Sequence, residues 1–275
     1  ADEAITAAAT VIRLSSDNGR LDQNPLETRG YVGLWDADAE FYTLHAAAGK
    51  PQTVGRDLAQ FVFGLPEDSV RAVTKDVGGG FGAKNPLYPE QALVLWTAKK
   101  LDRPVSWQSS RSETFLADYQ GRGQAADAEM ALDKKGNVLA LRINILADLG
   151  AFLGPRGSTA PNMWRTMGAS VYDLPVVDYN VRAIHTHNMP TCPYRGAGAP
   201  EAVFIIERLF DMAAAKLGLS AGDIRRKNLI SAEAMPFKTA IGTTLDSGDF
   251  AQVIDSAERM ADLSGFDARK AKSAA

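Results

Sequence analysis

The stretch Asp76-Val77-Gly78-Gly79-Gly80-Phe81-Gly82-Ala83-Lys84 decides how this chain is read. Four glycines in five positions give a backbone whose N–H groups no side chain screens, so that it can come close to a ligand. Before it, Val70-Arg71-Ala72-Val73 reads as a strand. After it, Tyr88 to Leu101 carries Ala92, Leu95, Trp96 and Lys99 at helical spacing. A glycine loop between strand and helix is placed to cradle an anion or oxo group at a helix N-terminus. The nucleotide-binding patterns fail on spacing, both G-x-x-x-x-G-K-S/T and G-x-G-x-x-G in register. On glycine count alone, a plain connecting turn is an equal reading.

Working outward, Gly30-Tyr31-Val32-Gly33-Leu34-Trp35 and Phe41-Tyr42-Thr43-Leu44-His45 flank a polar turn and predict a hairpin. Residues 53–63 predict a helix with Val54, Leu58, Phe61 and Val62 on its apolar stripe and Gly64 as its stop. Arg103 to Trp107 restarts a strand. Ala128–Leu132 and Val138–Ala147, around Lys134-Lys135-Gly136-Asn137, form the clearest hairpin. Short strands follow near 176–186. A helix from Ala202 to Leu217 comes next, its stripe including Val203, Ile206, Leu209 and Phe210, capped by Gly218. Helical stretches near 220–229 and 249–262 come last. Helices interspersed with hairpins predict an α+β fold with mixed sheets, not a doubly wound parallel sheet. We expect one domain over 1–275, divisible into α+β subdomains at about 1–120 and 121–275. Both ends read as cut edges, so the chain is expected to be a piece of a longer polypeptide.

Composition excludes several classes. Lys+Arg 30 against Asp+Glu 33 leaves a net charge of −3 with no basic cluster, which argues against nucleic acid as a partner. Hydrophobic content of 45% excludes global disorder. No apolar run reaches the ~18–20 residues that cross a bilayer, and no signal peptide is visible, so a cytoplasmic location is expected. A single cysteine, Cys192, excludes a disulfide framework or a cysteine-built iron–sulfur or zinc site from this chain alone.

A second glycine-rich segment, Pro193-Tyr194-Arg195-Gly196-Ala197-Gly198-Ala199-Pro200-Glu201-Ala202, precedes the long helix. Its arginine has the planar fork that suits a phosphate or pterin oxygen. Taken alone, an N-capping turn with an exposed arginine is the favoured reading. Other candidates are weaker. His185 and His187 share a face of an expected strand without a third ligand. Cys192 reads as small buried filler, Trp96 and Trp107 as core, and Asp148 and Asp246 show no acid–base partner.

In order, the chain runs G-G-G-F-G-x-K loop, helix, strand ending W-x-x-x-R, hairpin, then Y-R-G-A-G-x-P-E-A entering an I-E-R-L-x-D helix. This order resembles the molybdenum-cofactor-binding subunit of the xanthine dehydrogenase and aldehyde oxidase family, the molybdenum hydroxylases. Flanking pieces agree. Asn24-Pro25-Leu26-Glu27-Thr28-Arg29-Gly30 is similar to the family's P-M/L-E-P-R segment, and Gly64-Leu65-Pro66-Glu67 to its G-I/L-P-E turn. Arg225-Arg226-Lys227-Asn228 and Asp246-Ser247-Gly248-Asp249-Phe250 match its R-x-K-N and D-S-G-D-F. The resemblance covers roughly residues 10–255 and implies the first of two cofactor-binding domains of the large subunit.

It further implies an oxidoreductase that inserts a water-derived oxygen into an aldehyde C–H or an electron-poor heteroaromatic carbon. A molybdenum–molybdopterin cofactor, in a dinucleotide form, would do the chemistry. Electrons would leave through 2Fe–2S clusters to FAD on partner subunits or domains. By the same resemblance Gly79, Gly80, Phe81 and Gly82 face the metal's ligands, with glycine at 80 expected to serve both close approach and positive φ. Arg195 stands beside pterin and metal, followed by the small Gly196. No side chain ligates the metal directly. The general-base glutamate lies in the second cofactor domain, outside this chain.

The departures set expectations too. Counting back from Phe81 without gaps, the family's glutamine falls on Lys50, a donor with no acceptor; a slipped register would choose Gln52. Asn85 replaces the glutamate of xanthine-oxidising members, Met163 their purine-gripping arginine, and Ala197 their stacking phenylalanine. Gly196 stands where carbon monoxide dehydrogenases carry a cysteine. Xanthine and carbon monoxide are therefore disfavoured, and Asn85, Met163, Ala197 and Phe152 outline a small apolar substrate pocket. The alternative is a non-catalytic relative that keeps the fold without metal, for which Lys50 is the motive.

Overall fold

The computed structural model describes residues 1–154 and 156–274. In chain order, helix α1 (Asp2–Ala7) leads to β1 (Thr10–Asn18), β2 (Gly30–Asp36), β3 (Phe41–Ala46), α2 (Pro51–Asp57) and β4 (Val70–Val73). Then come α3 (Pro89–Leu101), β5 (Val105–Gln108), α4 (Arg111–Ala117), β6 (Gln124–Leu132) and β7 (Val138–Asp148). Two single-turn helices, α5 (Thr159–Asn162) and α6 (Trp164–Met167), precede β8 (Val177–Ile184) and the long α7 (Ala199–Leu217). Helix α8 (Ala221–Asn228), the pair β9 (Phe237–Lys238) and β10 (Thr244–Leu245), α9 (Phe250–Met260) and α10 (Phe266–Ala274) follow.

The fold is α+β with mixed sheets, as the hairpin and helix patterning predicts. One sheet has the order β4-β3-β2-β5, with β3 and β4 parallel and its other pairs antiparallel. Tyr31, Tyr42, Leu44, Val54, Leu58 and Leu95 fill its core beneath α2 and α3. The other sheet has the order β1-β6-β7-β8, with β7 and β8 parallel. Met130, Leu141, Ile143, Trp164, Ile206 and Phe210 form its core against α7. The chain thus starts in the second sheet, since β1 pairs with β6 along its whole length, Thr10 opposite Leu132 and Asn18 opposite Gln124.

Several local expectations need correction. Phe61 and Val62 are 77% and 47% exposed rather than on the buried stripe. After Asp57 the helix widens into a π-helical turn, Leu58–Phe63, and the extra residue per turn rotates those side chains outward before Gly64 stops it at φ 65°. Trp96 is not core: α3 buries Gln91, Val94, Leu95 and Ala98, and the indole lies 53% exposed, with Lys100 Nζ 5.6 Å over it. Val203 is 38% exposed because α7 turns Ala202, Ile205, Ile206 and Leu209 inward. The strands near 176–186 are the single β8, and His185 and His187 lie beyond its end at Ile184. The glycine loop is not at a helix N-terminus either, since turns over residues 81–86 separate it from α3.

The two sheets are joined at residues 118–123. Gly121 exchanges both backbone bonds with Leu21, at 2.8 and 3.2 Å, and the Gln120 N–H reaches the Pro190 carbonyl at 3.1 Å. Arg29 holds the near end of this joint. Its guanidinium, 1% exposed, donates to Asp118 Oδ1 at 2.6 Å and Glu90 Oε2 at 2.8 Å, and lies 3.8 Å over the Tyr88 ring. Burial disfavours the cation, but the two carboxylates outweigh it and keep the group charged.

Helix α3 approaches β2 so closely that a Cβ on Gly33 would lie 2.6 Å from the Val94 backbone, whereas one on Gly19 would meet nothing within 4 Å. Gly33→Ala is expected to cost ~1–3 kcal/mol by forcing sheet and helix apart. Gly19→Ala should stay within about 0.5 kcal/mol of the parent. Denaturant unfolding of the two variants checks this; equal stabilities would contradict the packing.

Candidate cofactor-binding site

Each glycine-rich loop is shaped by the chain around it. Glu27 anchors the first: its carboxylate accepts from Lys84 Nζ at 2.7 Å and from the Gly78 N–H at 2.9 Å. Burial works against that charge, but the two donors prevail and hold the carboxyl below its ordinary range. Gly79 and Gly82 are left-handed at φ 97° and 113°, and Phe81 itself adopts φ 47°. Gly80 is not left-handed, which corrects the expectation that glycine there serves positive φ. A Cβ at Gly80 would meet only Lys84, at 3.7 Å, so nothing else among the described residues fills the space beside it.

In the second loop Gly196, Ala197 and Gly198 are left-handed in succession, at φ 91°, 47° and 101°, before α7 begins at Ala199. For an alanine this conformation costs roughly 1–2 kcal/mol, and such strain is characteristic of sites where the surroundings dictate the backbone. Turn bonds from the Ala197 N–H to the Tyr194 carbonyl, at 2.6 Å, and from the Ala199 N–H to the Gly196 carbonyl, at 3.0 Å, fix it.

The loops meet. The Arg195 N–H donates to the Phe81 carbonyl at 3.0 Å, and a Cβ on Gly82 would lie 1.7 Å from the Pro193 oxygen. Only glycine permits that approach. Arg195 is exposed, and among the described residues its guanidinium enters no ion pair.

The remaining candidates fall into separate groupings. Lys50, exposed, is the N-cap residue of α2, and the neighbouring Gly49 would place a Cβ 2.2 Å from Asn85 Oδ1, so these two positions adjoin. Met163 lies between α5 and α6, its Cβ 2.8 Å from where one on Gly198 would sit, and so borders Ala197. Phe152 is half-exposed, edge-on to Tyr119 at 6.4 Å. Gln52, the slipped-register alternative, is exposed within α2.

Other charged or metal-binding candidates resolve as structure. Asp148 pairs with Arg20 at 3.0 Å, and no group of three or more His, Cys, Asp or Glu side chains suited to a metal exists among the described residues. Sequence reasoning missed the loop supports: Glu27 with Lys84, and Arg122, whose guanidinium reaches both Glu201 and the Arg195 carbonyl. Glu27 and Glu201 lie inside quoted motifs, but nothing in the spacing signals their partners 57 and 79 positions away.

A family model for the molybdopterin cofactor-binding domain matches residues 1–229, and the chain belongs to that family. It is 34% identical over 237 residues to the carbon monoxide dehydrogenase large chain of Hydrogenophaga pseudoflava, covering 84% of this chain and 29% of that one. It is 31% identical over 278 residues to the nicotine 6-hydroxylase large subunit of Paenarthrobacter nicotinovorans, covering 98% of this chain and 34% of the relative. The solved quinoline 2-oxidoreductase of Pseudomonas putida 86 superposes with a TM-score of 0.93 at 32% identity, covering 98% of this chain and 35% of that structure. The chain therefore spans about a third of the length of these relatives. No helix among the described residues is long and apolar enough to cross a membrane.

The residues present fit a pterin cofactor. Its oxo and phosphate groups need a bare backbone with free N–H groups and an uncompensated cation. The open side of Gly80 and the guanidinium of Arg195 offer these.

Cys192, beneath the junction, is 2% exposed, and burial pushes its thiol up to about 12 despite the Gln23 amide bonded to it at 3.1 Å. At pH 8 only about one molecule in 10,000 would carry the thiolate. Native protein should resist iodoacetamide at that pH and become labelled once unfolded in guanidinium. Rapid native labelling would show that the junction opens.

Proposed function

We propose that this chain is the molybdopterin-binding component of a molybdenum hydroxylase that oxidises an aldehyde or an N-heterocyclic C–H, with water as oxygen source. The observation that carries the reading is the junction of the loops, where a backbone bond joins the open glycine loop to Arg195, whose guanidinium enters no ion pair among the described residues. Bound there, the cofactor would supply the oxidation chemistry, in a pterin dinucleotide form. The part of this chain is to hold and orient. The N–H groups of residues 79–82 would bind oxo oxygens, Arg195 would fork onto pterin or metal oxygens, and Gly196 would keep the approach clear. Lys50, which follows the Gly49 that adjoins Asn85, would add a positive charge on that side of the loop.

On this reading both sheets serve one cofactor-binding unit of a cytoplasmic enzyme. A second molybdopterin-binding domain would supply the general base, and iron–sulfur and FAD partners would take the electrons. The names of the nicotine- and quinoline-oxidising relatives support an N-heterocyclic substrate. So do Asn85 and Met163, neutral side chains that offer a purine neither of its charged anchors.

Metal analysis of the intact complex tests the reading, with about one molybdenum per protomer expected. No molybdenum in the parent would favour a non-catalytic relative, for which Lys50 is the specific motive. Gly80→Val, whose Cβ would meet only the Lys84 side chain at ordinary contact distance, should lose the metal because its branched side chain fills the approach. Arg195→Lys should lower both molybdenum retention and turnover, the latter at least ~10-fold, since a point charge cannot make two parallel bonds. Full metal content in Gly80→Val would defeat the assignment.

Substrate preference gives a separate test. In competition on the reconstituted enzyme, benzaldehyde or a pyridine-type substrate should exceed xanthine by at least ~100-fold in kcat/KM, or ~2.7 kcal/mol. Efficient xanthine oxidation would mean that the anchors come from elsewhere in the enzyme.

A further inference from the structure

Beneath the second loop lies a buried polar chain that touches neither glycine backbone nor guanidinium. We infer that Arg122 and Glu201 are positioning residues for Arg195, coupled through one buried water to Gln124 and Trp164. The inference rests on the reading that Arg195 faces the cofactor.

Arg122 grips the loop twice. Its Nη2 donates to the Arg195 carbonyl at 3.1 Å, and its guanidinium lies 4.5 Å over the Tyr194 ring. The residue is itself left-handed, at φ 63°, a strain that persists only where surrounding contacts fix it. With the Arg195 N–H given to Phe81 and its carbonyl to Arg122, both backbone groups of Arg195 are fixed. Only its side chain is left free to meet a ligand. The planar fork of Arg122 then reaches Glu201 Oε2 through Nη1 at 3.1 Å.

Glu201 stands in the first turn of α7, 2% exposed, and its second oxygen, Oε1, is buried with no partner among the described residues. Gln124, 4% exposed, has a buried Nε2 in the same condition. The two residues line one cavity of about 10 Å³ with Trp164. The orientation of the Gln124 amide is fixed by chemistry. Trp164 Nε1 can only donate, and it reaches Gln124 Oε1 at 2.9 Å, so the NH2 is the end of the amide left without a partner. An unpaired donor and an unpaired acceptor thus face a space for a single water, which accepts from Gln124 and donates to Glu201. The chain Trp164–Gln124–water–Glu201–Arg122 ties the loop to the core of the second sheet, through Trp164.

The test uses the complete molybdenum-containing enzyme and its Arg122→Lys, Glu201→Gln and doubly substituted forms. Amide hydrogen exchange at Arg195 is the primary readout, with Leu141, bonded to the Val176 carbonyl in the sheet, as reference. Each single variant should speed exchange at Arg195 roughly 10-fold while Leu141 is unchanged, and the double variant should add little more. Molybdenum content should fall in both. Unchanged protection at Arg195, or equal loosening at Leu141, would overturn the assignment, as would full additivity in the double variant. If Glu201→Gln fails to fold, Arg122→Lys, which keeps a cation for Glu201, decides alone. Faster exchange at Arg195 together with full molybdenum retention in Arg195→Lys would uphold the positioning role and reject the cofactor reading.

Discussion

The buried guanidinium of Arg29 is the constraint on which the arrangement turns. It lies between the Asp118 and Glu90 carboxylates and against the Tyr88 face, where removing the cation would leave the buried Asp118 carboxylate uncompensated, at ~3–5 kcal/mol. From the approach to β2 it draws together three other parts of the chain: the turn before α3, the first turn of α3 and the end of α4. Tyr88 extends the network, donating to the Ala83 carbonyl at 2.8 Å and accepting from the Tyr119 N–H at 3.1 Å. One ion cluster therefore sets both the far end of the glycine loop and the start of the joint between the sheets.

From that joint the second loop inherits its place. Cys192 donates its N–H to the Gln120 carbonyl, and a Cβ on Gly121 would lie 2.3 Å from the Tyr194 Cβ, so residues 192–195 are laid directly on the joint. The result is a division of labour. The first sheet, through Glu27 and Lys84, shapes a backbone open to a ligand. The second, through α7, presents a charge. On the proposed reading neither sheet makes the site alone, and the Gly82–Pro193 approach locks the two loops into one geometry.

Much of this was legible in the residues. The hairpins followed from apolar runs flanking polar turns, the stops at Gly64 and Gly218 from glycine placement, and the family from the order of two glycine-rich motifs. The misreadings have common physical causes. Trp96 and Val203 sit one step off helical stripes whose buried face is set by the sheet beneath, which periodicity alone does not specify. Phe61 was turned outward by a π-helical turn that depends on local packing. Gly80 was read as conformationally necessary because its neighbours are, whereas the left-handed residues are Gly79, Phe81 and Gly82.

What the sequence determined by itself was local and ordinal: which segments are strands, where helices stop, and the succession of motifs that marks a molybdopterin-binding domain. Those signals lie within a few residues of one another, where backbone sterics and side-chain periodicity act directly. Tertiary structure alone decided that β1 joins the second sheet, that Glu27 and Lys84 brace the first loop, and that Arg122 reaches across to Arg195 and Glu201. Ion pairs and close backbone approaches of that kind depend on distances between segments tens of positions apart. No residue pattern encodes such a distance until the chain has folded.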